Sequence, residues 1–232
     1  MRSYRIAGAL ASCLGLAVPA LAQQTFTPPQ GCTGTLTVQG RACLVTHVWT
    51  CEGDAPGEQW LALSGEAGPF MVRRIDTEFQ WLETYYADPP RVETMTQPAP
   101  NPGSITTLLA EGYDSFDFTV TFDDGSPAER IVGHDKLTGE EVVIDGERLL
   151  RTEFAYDVIG PDGTVLQQRE GRQYISPTQR LFHFGTDWDK ATPADISDAS
   201  PVQFIYPGEP GFFAASPKYD CGVVMSKQGV AP

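Results

Sequence analysis

FDFTVTFDDGS, residues 116–126, is the stretch that decides the fold. Phe116, Phe118, Val120 and Phe122 alternate with Asp117, Thr119 and Thr121, the period of two expected of a strand with one buried and one wet face. Asp123-Asp124-Gly125-Ser126 supplies the turn that follows. The same pattern continues outward. Ala128 to Gly133 and Glu141 to Ile144 read as strands joined through Leu137-Thr138-Gly139. Next, Leu150, Thr152, Phe154, Tyr156 and Val158 are expected to face a core while Arg151, Glu153 and Asp157 face water. Pro161-Asp162-Gly163 then turns the chain, because Pro presets φ and Gly accepts the left-handed position. Val165 to Ile175 is polar on both faces, carrying Gln167, Gln168, Arg169, Glu170, Arg172 and Gln173, which predicts an edge strand or one crossing an open mouth. Phe182 and Phe184 close the series.

Toward the N-terminus, Thr33 to Val38 and Leu44 to Thr50 flank Gln39-Gly40-Arg41 and read as a hairpin. Glu58 to Leu63 and Phe70 to Ile75 are short apolar strands, and the aromatic run Phe79, Trp81, Leu82, Tyr85, Tyr86 reads as another. Ala87 to Gly103 holds Pro89, Pro90, Pro98, Pro100 and Pro102 and is expected to be loop. Ser104 offers an N-cap for a short helix through Ala110, stopped by Gly112. Thr186 to Ser216, rich in Pro, Gly, Ala and Asp, is expected to wrap the sheet as an ordered coil pinned by Phe204, Ile205, Tyr206, Phe212 and Phe213. The prediction is an all-β chain with minor α content, an antiparallel meander forming a curved sheet, half-barrel or sandwich, with a long Pro/Gly-rich C-terminal coil.

Residues 1–22 read as a secretory signal peptide, with Arg2 and Arg5 at the start, an apolar run from Ile6 to Leu21, and Ala20-Leu21-Ala22 before the cleavage point. A competing reading takes Leu10-Ala11-Ser12-Cys13 as a lipobox acylated at Cys13, but it leaves too short an apolar run. The expected mature chain, residues 23–232, is a single β-rich domain without a transmembrane segment, periplasmic or secreted. Cleavage takes Lys+Arg from 16 to 14 against 30 Asp+Glu, a net charge of −16, which argues against nucleic acid and anionic membrane surfaces as partners.

Cys32, Cys43, Cys51 and Cys221 then make an even set in an oxidising compartment, so two disulfides are expected. The hairpin brings Cys32 to Cys51 and leaves Cys43 for Cys221. A metal site on Cys43, His47 and Cys51 is the alternative, but on a strand the outer two stand about 26 Å apart, farther than one ion spans.

Any histidine chemistry must use His47, His134 or His183, and no GxSxG, HExxH, phosphate loop or GxGxxG is present. Asp114/Asp117, Asp123/Asp124 and Asp187/Asp189 lack the spacing of a calcium loop. No cofactor or metal is expected. The leading expectation is a non-catalytic envelope protein binding a small apolar or amphipathic ligand, or a partner protein, on the concave face of its sheet. The alternative is a hydrolase of unfamiliar type using His183 or His134 with a nearby carboxylate. The candidate ligand residues are Phe154, Tyr156, Arg169, Arg172 and Tyr174, two arginines beside aromatic walls suited to a carboxylate or phosphate head on an apolar tail. Charged residues that guard a sheet edge would give the same pattern.

Overall fold

The computed structural model describes residues 25–222; the expected signal segment and Cys13 lie outside the described residues. Thirteen antiparallel strands form one large, open, curved sheet. They are β1 (Cys32–Gly40), β2 (Leu44–Cys51), β3 (Gln59–Gly65), β4 (Gly68–Ile75), β5 (Trp81–Ala87), β6 (Pro90–Met95), β7 (Tyr113–Phe122), β8 (Glu129–Ile144), β9 (Glu147–Ile159), β10 (Val165–Ser176), β11 (Leu181–Asp189), β12 (Ser197–Asp198) and β13 (Pro201–Ile205). From β1 to β12 every strand pairs with its neighbours in sequence, while β13 pairs with β1. One helix, α1 (Ile105–Glu111), interrupts the meander. Ser104 caps it by accepting from the Thr107 N–H, and Gly112 ends it at φ 78, a conformation glycine adopts without penalty.

The register fixes which side chains share a face. Leu36, Val48, Leu61, Arg73, Thr84 and Glu93 stand opposite one another in successive strands, and the row continues through Phe122. Farther along, Phe118 faces Ile131, Ile131 faces Val158, and Tyr156 faces Arg169. This inner face carries the alternating Phe116, Phe118, Val120 and Phe122, so residues 116–122 line the interior. Trp81 packs into both apolar clusters that fill it.

Near the end of β10 and the start of β11 the chain is buried on both faces. Tyr174 and Leu181 pack with Leu36, Val38 and Phe204 on one side, while Ile175 and Phe182 pack with Ile105 and Leu108 of α1 on the other. The second face of β1 and β2 is covered by the C-terminal coil: the Phe213 N–H donates to Thr37 Oγ1, Gln39 bonds the backbone of Ser216 and Lys218, and Phe213 packs on Trp49. Disulfides join Cys32 to Cys51 and Cys43 to Cys221, which fits an oxidising compartment outside the cytoplasm. Among the described residues, no helix is long and apolar enough to cross a membrane.

Several local expectations are corrected. The proline-rich stretch contains β6, because Pro89 and Pro90 sit before and at its first position, where no ladder donor is lost, and the other prolines follow it. Glu129–Ile144 makes one long strand rather than two, since Leu137 to Glu141 form an irregularity with Gly139 at φ 82 and pairing to β9 resumes beyond it. β10 is an edge only at its start: Val165 to Ile175 pair with β9, and from Arg169 to Ser176 the strand also pairs with β11. The coil after Thr186 includes the end of β11 and the strands β12 and β13. Leu149, on the side of β9 expected to be wet, is fully buried because β13 and β1 cover that end.

Candidate ligand-binding site

The inner face holds a cavity of about 110 Å³ lined by Val48, Leu61, Leu63, Met71, Trp81 and Leu181, with Arg73 and His183 among its polar walls. Strand β4 places Arg73 there by alternation: adjacent Arg73 and Arg74 must point to opposite faces, and Arg74 goes outward to Glu58 at 2.8 Å and Glu83 at 3.2 Å. Arg73 has no carboxylate within 4 Å among the described residues. Its guanidinium lies 3.9 Å from the Trp81 ring centroid, and its Nε donates to Thr84 Oγ1 at 2.9 Å.

Behind it lies a buried carboxylate. Glu93, 7% exposed, accepts from Thr84 Oγ1 at 3.4 Å and from Tyr86 OH at 3.1 Å, and no cation approaches it within 4 Å among the described residues. Burial, and then the Glu93 charge, hold the Tyr86 phenol above its ordinary range. Burial likewise raises Tyr156, whose ring meets Trp81 edge-on at 6.4 Å. Both phenols therefore stay neutral at physiological pH. Nε of Arg73 is committed to Thr84, which leaves the guanidinium's terminal N–H groups as the donors that a carboxylate or phosphate could engage in pairs.

The structure divides the five residues singled out in the sequence. Phe154, Tyr156 and Arg169 share the inner face, Phe154 stacking on Tyr156 at 6.1 Å and Tyr156 facing Arg169 across the ladder. Arg169 is neutralised by a close ion pair with Asp187. Arg172 and Tyr174 lie on the face of β10 opposite Arg169, with Tyr174 packed at the strand's end against Leu36 and Phe204, so the two arginines do not form one patch. Alternation along an unbroken β9–β10 register separates them, because 169 and 172 differ by an odd number. Arg73 and Glu93 fall outside the site expected from the sequence, yet Arg73-Arg74 in an otherwise apolar strand is the available signal.

The histidines do not assemble an acid–base site. His183 is 7% exposed, not on a wet face, because Phe204 of β13 covers it edge-on at 5.1 Å. Its Nε2 meets Gln179 Oε1 at 3.2 Å, and burial lowers its pKa to about 4. His47 is fully buried between Phe26 and Phe213, contacts Thr37 Oγ1 at 3.2 Å, and is also lowered to about 4 by burial. His134 stacks on Tyr113 at 5.5 Å. None has a carboxylate within 4 Å among the described residues. Cys43, Glu66 and Cys221 come together, but both thiols are consumed in the disulfide. No family model, curated protein or solved structure matches the chain.

Proposed function

We propose that the chain is an exported, non-catalytic binding protein, periplasmic or secreted, that takes a small amphipathic molecule with an anionic head. The head meets Arg73 at the inner cavity, and the apolar tail, too large for a cavity of about 110 Å³ alone, runs on along the aromatic wall of Trp81, Tyr156 and Phe154. The observation that carries this reading is a guanidinium without a carboxylate partner among the described residues, on the wall of a largely apolar cavity. A cation held in such surroundings keeps its charge and offers paired N–H donors, so an anionic head gains more there than at the protein's saturated ion pairs. Trp81, Tyr156 and Phe154 supply adjoining aromatic walls on the same face.

Laurate, dodecanol and dodecyltrimethylammonium share a tail and differ in head group, so together they test the assignment. Titrated against the protein with tryptophan fluorescence as readout, laurate is expected to bind tightest, and Arg73→Gln to weaken it about tenfold while leaving dodecanol unchanged. Equal affinity for all three, or an unaltered Arg73→Gln variant, refutes the head-group assignment. If none of the three binds and native mass spectrometry finds no retained small molecule, the binding-protein reading falls.

A further inference from the structure

A second cavity, about 490 Å³, opens on the other face of β10, beside the segment that carries the chain from β12 to β13. Its walls include Arg41 from the β1–β2 turn, Arg151 from β9, Arg172 and Tyr174 from β10, Thr186 from β11, and Ser200. Three distant parts of the sequence thus deliver three arginines to one concavity. Register explains two of them, since Arg151 stands opposite Tyr174 and Thr186 opposite Arg172 on a single face. Arg151 is oriented by Tyr174, donating from Nη2 to the phenol oxygen at 3.1 Å and lying 5.2 Å from the ring centroid.

The three differ from the arginines that serve as ion-pair partners elsewhere. Arg74 and Arg180 hold carboxylates at 2.8 and 2.7 Å, and Arg130, Arg148 and Arg169 are paired at least as closely. Asp198 also lines the cavity, but among the described residues no carboxylate comes within hydrogen-bond distance of these three arginines. Arg41 stands 3.8 Å from Asp198 and 3.6 Å from Asp220, Arg151 stands 3.7 Å from Glu140, and Arg172 stands 3.7 Å from Glu153. Those four carboxylates are each about half exposed, so water already solvates them and their hold on the guanidinium groups is loose. They moderate the local charge without using the N–H donors. Such donors on a concave wall are what a multivalent oxyanion needs, because each guanidinium can present two parallel N–H groups to one ligand.

We propose that this cavity is a binding site for a small, water-soluble multivalent oxyanion, either phosphate-bearing or polycarboxylate. This cavity adjoins the inner one, sharing Gln173 and Pro201 as wall, but its three arginines line it alone and Arg73 does not reach it. The chain's net charge of −14 opposes anions at long range, so recognition rests on these short-range donors.

Calorimetric titration with pyrophosphate and with citrate, at ionic strength matched by sodium chloride, tests the assignment and separates the two chemistries. At least one of the anions is expected to bind saturably. Arg41→Gln and Arg172→Gln should each weaken that binding about tenfold, and both side chains are exposed enough for the fold to survive. Arg148→Gln, equally exposed but paired to Glu141 on another surface, and Arg73→Gln should leave it unchanged. Binding of pyrophosphate alone assigns a phosphate ligand, and binding of citrate alone a polycarboxylate. The proposal is overturned if neither anion binds, or if Arg148→Gln weakens binding as much as Arg172→Gln does.

Discussion

Acidification tests the interior most directly, because two buried histidines and one half-buried aspartate respond with opposite signs. His47 and His183 are each lowered by burial from 6.5 to about 4. Between those values the unfolded chain takes up a proton that the folded chain refuses, so stability falls as pH drops through the window. Relative to pH 8, the loss at pH 5 is about 2 kcal/mol for each, or about 4 kcal/mol together. Asp135 runs the other way. Burial, and to a smaller extent the neighbouring Asp114, raise it from 3.8 to about 7, against the hydrogen bond donated by Gln173. The folded chain therefore keeps a proton that the unfolded chain releases, and this group's contribution improves by about 2 to 3 kcal/mol between pH 8 and pH 5. The wild-type profile should accordingly be shallow, a loss of about 1 to 2 kcal/mol. Asp135→Asn preserves the acceptor for Gln173 and removes the opposing titration, so its loss over the same range should approach about 4 kcal/mol. Urea unfolding followed by tryptophan fluorescence at both pH values, with m unchanged, reads the difference. Parallel profiles for the two proteins would show that Asp135 does not titrate differently on folding, and the reasoning would fail.

Other consequences can be measured alongside. The loop closed by Cys43–Cys221 spans 178 residues and that closed by Cys32–Cys51 spans 19, so chain entropy assigns them about 5 and 3 kcal/mol, and paired alanine substitutions should rank in that order by urea unfolding. Gly171→Ala should lower stability by about 1 to 3 kcal/mol, because its Cβ would lie 2.5 Å from the Thr186 carbonyl oxygen and 2.7 Å from the Phe154 ring; an unchanged melting temperature would contradict that packing. Ser104→Ala removes the acceptor for the Thr107 N–H and a contact to Glu78, with an expected loss of about 0.5 to 2 kcal/mol in the same assay. Ile175→Ala opens space between β10 and α1 and should cost about 2 to 5 kcal/mol, more than the exposed Val165→Ala on the same strand.

What the residues revealed in advance was what local alternation encodes. The strand ending at Phe122, the hairpin closed by Cys32 and Cys51, and the Ser104 cap each depend on neighbours within a few positions. The β6 strand was hidden because proline content obscured where along the segment each ring falls. β10 was misplaced for a different reason. Its first three residues are exposed, its polar middle is half-buried and its last three residues are buried, and the packing of β13 on one side and α1 on the other covers that end. The same long-range event buries His183, which alternation alone assigns to the wetter side. At the site, period two was sufficient to separate Arg169 from Arg172 and to send one of Arg73 and Arg74 inward. It could not show that Arg41 joins Arg151 and Arg172, since that meeting depends on the two ends of the sheet coming together.

The segment from Ser197 to Ile205 fastens to both ends of that sheet. Ala199 donates to the Gly185 carbonyl on one side, Ser200 accepts from the Arg41 N–H on the other, and Thr37 to Gly40 pair along β13. A 13-stranded sheet thereby presents only a two-residue and a five-residue strand as borders, and one short stretch of chain supplies both. The connector before it, from Lys190 to Ile196, is exposed throughout. A tryptic cut after Lys190 would let β12 leave the nine-residue β11, while the Cys43–Cys221 bridge and the ladder with β1 keep β13 in place. The uncovered β11 would then be a template for a strand of another molecule, so a single nick gives a self-contained sheet one adhesive border while the other stays sealed.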